Sequence, residues 1–196
     1  MTFFNFPTRL ARAAFVAVCG AALVGCASVK MAPADASPDS VQALRSAHLV
    51  RAKTGSFVLA PGKDASMDTT LGGLRGSEMT PNDGTFSHDL RNVIEADLKA
   101  AGLYDAASDA VIEGRLTDSA VDAAMGTGSG RLAAQFSVTR GGKKVYDKEL
   151  KVESKWDSSF IGAVAIPTAM QQYGALYQQL AAKLFADAEF RSALAG

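Results

Sequence analysis

"RLAAQFSVTRGGKKVYDKELKVESKW", residues 131–156, alternates in character through both of its halves. In the first half Leu132, Ala134, Phe136 and Val138 are separated by Arg131, Gln135, Ser137 and Thr139. In the second, Tyr146, Leu150, Val152 and Trp156 fall on one set of alternate positions and Asp147, Glu149, Lys151, Glu153 and Lys155 on the other. Successive side chains of a strand point to opposite faces, so a period of two marks a strand with one face buried. Gly141-Gly142 lies between the two runs. A two-residue turn between antiparallel strands needs positive φ at both positions, which glycine adopts without steric cost. The stretch therefore reads as a hairpin of strands 131–139 and 144–156.

Working outward, "AVIEGRLTDSAV" (110–121) sets Ile112, Gly114 and Leu116 against Glu113, Arg115 and Thr117, a third strand. "KTGSFVLA" (53–60) is short, rich in apolar strand formers and stopped by Pro61-Gly62. Residues 85–101 carry the helical spacing instead: Phe86, Leu90, Val93, Ile94, Leu98 and Ala101 recur at three and four. Thr85 is placed to cap that helix, and Gly102 to end it in the left-handed conformation with Leu103 folding back. A last helix is expected from near Pro167, with a stripe of Ile166, Met170, Tyr173, Tyr177, Leu180 and Leu184. Gly174 interrupts it at a cost of about 1 kcal/mol relative to Ala, which suggests a close approach to the sheet. Asp187 is placed to cap a short terminal turn carrying Phe190 and Leu194. These elements predict an α+β fold: a single domain, residues 41–196, with a three- to four-stranded mixed, mainly antiparallel sheet. Two helices cover one face, in the order β-α-β-β-β-α.

Three stretches resist that pattern. "MGTGSGR" (125–131) has phosphate-loop glycines but lies between two strands and lacks the helix whose N–H groups would face an anion. It reads as a flexible hairpin connection. Residues 62–84 form a long segment in which Arg75 stands among Gly72, Gly73 and Gly76. It is either a mobile crossover with a solvated Arg or a binding lip. "SSFIGAVAIPTAM" (158–170) is uncharged. It is either core closing the open end of the sheet, through Phe160, Ile161 and Val164, or an interface. Arg75, Phe160 and Ile161 are the candidate partner contacts.

The N-terminus has a different logic. Met1–Arg12 carries Arg9 and Arg12 without an acid, and Ala13–Val24 is an apolar run shorter than the roughly 20 residues a bilayer span needs. Leu23-Val24-Gly25-Cys26 follows. This resembles the lipobox of bacterial lipoproteins. The resemblance implies a signal peptide over 1–25, cleavage between Gly25 and Cys26, and a diacylglycerol on the Cys26 sulfur. An acyl chain such as palmitate is then usual on the new amino group. Ala27, where Asp would mark retention, implies passage to the outer membrane with the domain facing the periplasm. Cys19 would be discarded, leaving Cys26 alone and no disulfide possible within the processed chain. Ala27–Ser40 is rich in Ala, Ser, Pro and Asp without an apolar period, so residues 26–40 read as a flexible tether.

The full chain holds 20 basic and 20 acidic residues, and no basic stripe that would suit a nucleic-acid partner. Catalytic chemistry is poorly represented. His48 and His88 are the only histidines, and their spacing does not place them together. Asp157, Ser158 and Ser159 are sequential neighbours rather than a nucleophile and base. Asp118 and Asp122 share strand parity, which does not by itself make a carboxylate pair. No cofactor, metal set or catalytic residue is expected.

The order of elements behind the lipobox resembles a group of small envelope lipoproteins. Their domain is like the N-terminal domain of the Tol-Pal translocation protein, and it recurs in curli-secretion lipoproteins and activators of penicillin-binding proteins. The resemblance lies in "TFSHDLRNVIEADLKAAGLYD" (85–105), leading to "AVIEGRLTD", and in "SSFIGAVAIP". It implies a lipid-anchored, non-catalytic envelope protein, a periplasmic protein-interaction module with an envelope protein as partner. Two alternatives stand beside it. A carrier of an apolar envelope ligand would need a cavity lined by Phe136, Trp156 and Tyr173. An envelope hydrolase would need titratable groups converging in a cleft.

Overall fold

The structure, a computed structural model, describes residues 28–196. The signal segment, Gly25 and Cys26 lie outside the described residues. Strands β1 (Ser28–Lys30), β2 (Lys53–Leu59), β3 (Leu71–Leu74), β4 (Ser77–Thr80), β5 (Val111–Asp122), β6 (Gly126–Arg140) and β7 (Lys143–Ser158) form two sheets. Helices α1 (Pro38–Ser46), α2 (Phe86–Ala101), α3 (Gly162–Ala186) and α4 (Ala188–Ala193) accompany them.

The larger sheet has the order β2-β5-β6-β7. β2 and β5 are parallel, joined by a crossover that contains α2, while β5-β6-β7 is an antiparallel meander. The Gly141-Gly142 turn has φ of 56° and 77°, as expected for a tight hairpin, and Arg140 pairs with Lys143. Phe136, Val138, Ile112, Leu116 and Phe57 point to the buried face, against α2 and α3. Thr85 caps α2, accepting from the His88 N–H, and Gly102 ends it at φ 79°. Leu103 N donates to Leu98 O at 2.8 Å and Gly102 N to Lys99 O at 3.0 Å, the paired bonds of a Schellman ending.

Several local expectations are corrected. Residues 28–40 do not form a free tether. β1 pairs in parallel with β4, Met31 is buried, and Ser37 caps α1 while its own N–H donates to Asp97 Oδ1 at 2.7 Å. The arm has no apolar period because one methionine and a backbone ladder hold it, rather than an amphipathic face. Residues 62–84 are not a bare loop either: a 3-10 turn over Ala65–Asp68 precedes the β3–β4 hairpin, and β1-β4-β3 makes the smaller sheet. α3 begins at Gly162, five residues before Pro167, and the proline sits on its exposed side.

Two glycine readings also change. A Cβ on Gly174 would meet nothing within 4 Å, so that glycine does not bring helix and sheet together. The close approaches are at Gly128 and Gly130 instead. "GTGSG" is the first part of β6, not a flexible connection. Gly128 pairs with Trp156, whose ring packs on the bare α-carbon, and a Cβ on Gly130 would press against Leu176 of α3 at 3.0 Å. The register of β5 against β6 slips between Leu116 and Asp118. One extra residue shifts the alternation, so Ser119 and Val121 turn inward where Ile112 and Leu116 had done so.

Candidate functional site

Arg75 occupies the β3–β4 turn at φ 54°, with Gly76 at φ 89° and Leu74 paired to Ser77. Two consecutive positive φ values match the tight hairpin geometry, but a non-glycine residue in the left-handed region is strained. What holds Arg75 there is its guanidinium. Nε donates to Ala123 O at 2.6 Å, one terminal nitrogen donates to Phe160 O at 3.0 Å, and the other donates to Ser159 O at 2.6 Å and Ser158 Oγ at 3.3 Å. Ala123 N in turn donates to Gly73 O at 2.8 Å. The side chain thus ties three connections together: the β3–β4 turn, the β5–β6 turn and the passage from β7 into α3.

Arg75, Phe160 and Ile161, far apart in the chain, therefore meet at one end of the domain. Arg75 is half-buried and spends its donors on groups inside the chain, so it braces this end of the domain. Phe160 is 77% exposed and Ile161 65%, and Val164 (53%) and Met125 (67%) join them on the α3 and β5–β6 sides. The core reading of Phe160, Ile161 and Val164 is thus corrected in favour of a surface cluster. We refer to this end as the tip.

The tip breaks a local rule. Ile161 occupies the N-cap of α3 and gives no side-chain bond to the free N–H groups behind it. Ser, Thr, Asp or Asn at such a position contributes about 1 kcal/mol relative to an apolar residue. The other described helices follow the rule, with Ser37, Thr85 and Asp187 as accepting caps of α1, α2 and α4. An exposed isoleucine at the one uncapped start, between an exposed phenylalanine and an exposed valine, is a local concession of the kind that functional surfaces make.

The remaining candidates separate. Ser158 is buried as part of the Arg75 brace, Asp157 is exposed, and Asp122 is exposed while Asp118 pairs with Arg131 at 2.7 Å on the outer sheet face. His88 lies in the first turn of α2, and His48, at φ 49°, accepts from Gly196 N through its carbonyl. Among the described residues no group of three His, Cys, Asp or Glu side chains is arranged to hold a metal.

The space proposed for an apolar ligand is filled. Phe136 and Tyr173 are fully buried, meeting Phe57 and Phe86 edge to face at 6.5 and 5.9 Å between ring centres. Tyr173 Oη lies 2.6 Å from Ser119 Oγ and 3.0 Å from Tyr177 Oη, and burial pushes both phenols above their ordinary range. The buried carboxylates nearby serve backbone. Asp68 accepts from Ser87 N at 2.7 Å, and Asp89 accepts from Asn82 N at 2.7 Å and Asp83 N at 3.0 Å while burial raises its pKa.

No family model matches the chain, and no curated protein matches it. Solved structures do. Protein XCC0632 from Xanthomonas campestris, of the family DUF330, superposes with a TM-score of 0.55 at 12% identity, over 84% of this chain and 96% of that one. The two chains share a fold. A candidate lipoprotein from Caulobacter crescentus CB15 (TM-score 0.42, 14% identity, 76% of this chain and 92% of that one) is more loosely similar. So is the hypothetical protein CT253 from Chlamydia trachomatis (0.41, 10%, 70% and 96%). No described helix is long and apolar enough to cross a membrane.

Proposed function

We propose that this protein is a lipid-anchored, non-catalytic component of the bacterial envelope, a protein-interaction module that works by contact in envelope assembly or maintenance. It is joined through Cys26 to the outer membrane and faces the periplasm, with no need of cofactor, metal or nucleic acid. The observation that carries the reading is the tip: uncharged side chains held exposed on a backbone that Arg75 fixes from behind. A surface that is apolar and prearranged favours association, because little ordering remains to be done on binding.

The test is chemical cross-linking in intact cells followed by mass spectrometry. The wild-type chain should capture a reproducible envelope protein. Phe160→Ser with Ile161→Ser should lose that capture at normal abundance, and Arg75→Glu should weaken it. Undiminished capture by the double variant would remove the tip from the mechanism.

A further inference from the structure

The chain enters the domain beside the tip. β1 runs parallel to β4, with Ser28 opposite Glu78, and β4 leaves directly from the Arg75-Gly76 turn. The first described residue therefore lies next to the turn whose guanidinium holds Phe160 O and Ala123 O. Cys26 is two residues earlier, a reach of no more than about 7 Å of extended chain. The order found in residues 28–40 removes the slack that a flexible tether of about 20 Å would have allowed.

We propose that the tip is a membrane-insertion surface, with Phe160, Ile161, Val164 and Met125 set into the interface of the bilayer that holds the Cys26 lipid. This deepens the proposed function and rests on its Cys26 anchor. Several features agree on a bilayer as occupant. The apolar cluster and the acyl chains attach to the same end of the domain. The chains on Cys26 suffice to hold the protein, and a second apolar contact a few ångströms away would fix how the domain lies on the bilayer with little further loss of freedom. Residues 158–170 contain no charge after Asp157, so nothing in that segment opposes transfer to the headgroup–acyl boundary. Arg75 at this end is already satisfied by carbonyls. The flanking Asp122 and Asp157, and Glu78 opposite Ser28, are exposed and would stay in the wet headgroup layer, which makes the contact apolar rather than electrostatic. Seated in this way, the tip fixes where the domain stands on the membrane, so the loss of partner capture expected of Phe160→Ser with Ile161→Ser follows from a domain displaced from its partner.

The experiment uses the membrane-purified protein in vesicles of phosphatidylcholine with brominated acyl chains, which quench tryptophan at the depth of the bromines. Trp156 is the only tryptophan, so single probes are made in a Trp156→Phe background as Phe160→Trp and Val145→Trp. Val145 is exposed at the opposite end of β7. Circular dichroism checks the fold. If Trp156→Phe unfolds the chain, the same probes are read as differences from the parent that retains Trp156. The proposal expects brominated lipid to remove emission at 160 and leave 145 unchanged. Equal emission at 160 in brominated and plain vesicles would overturn it, as would quenching at 145 alone. Intact mass separates the two levels: a lipid-free chain refutes the anchor and this proposal together. A lipidated chain with an unquenched tip refutes only the insertion and leaves the tip for a protein.

Discussion

The β6–β7 ribbon has two ends built by opposite means. At the far end the chain reverses through Gly141-Gly142 between Arg140 and Lys143, and Lys144 pairs with Asp147 at 2.7 Å. The turn itself is made by two glycines at positive φ, and Arg140 beside it reaches outward to donate to Ala195 O at 2.9 Å. At the near end Gly126 pairs with Ser158, and the strands open into Met125 on one side and Phe160-Ile161 on the other. Here no local turn chemistry suffices, and a side chain from another hairpin, Arg75, holds the carbonyls in place. A solvated turn forms on glycine, and the arginine beside it is the ribbon's own. An end meant to present apolar groups at a fixed spacing needs a brace from outside.

That contrast is vulnerable to substitution. Arg75→Ala should be the most costly, at about 3 kcal/mol, because it leaves partly buried carbonyls without donors at three connections. Lys144→Ala at the far end, an exposed ion pair, should leave the urea midpoint unchanged. Equal midpoints for the two variants would remove the distinction between the ends. Gly128→Ala should cost about 2 kcal/mol by forcing the Trp156 ring off its strand, a loss visible as a shift in tryptophan emission as well as in melting temperature. Unchanged emission would show that the ring is not seated there. Ile161→Asp has a smaller effect than Gly128→Ala and the opposite sign. It supplies the missing cap and should stabilise the domain by about 0.5–1 kcal/mol while weakening capture of the partner. A variant that is less stable would mean Ile161 contributes to packing rather than to contact.

Much of the fold was legible because long strands carry their own period. The hairpin 131–156, the helix ended by Gly102 and the stripe through Tyr173, Tyr177 and Leu180 all came from spacing, and all are present. The pieces that were missed are short. "LGGL" and "SEMT" are four-residue strands with no room for a pattern, and β1 is three residues long. Their pairing is decided by which other segments arrive beside them. "SPDS" at 37–40 did hold a readable helix start, a serine cap followed by proline, concealed in a composition that suggested a linker. The site was half legible. The absence of charge around Phe160 and the isolation of Arg75 among glycines pointed to both positions. Their meeting, and the arrival of Met125, depend on β5–β6 and β3–β4 ending at the same level, which no local spacing encodes.

The most direct measurement places a photoreactive amino acid at 160 or at 145 and irradiates living cells. The account predicts a discrete adduct, lipid or protein, from 160 and none from 145, since one end of the ribbon touches something and the other only water. Equal products from both positions, or an adduct from 145 alone, would contradict it.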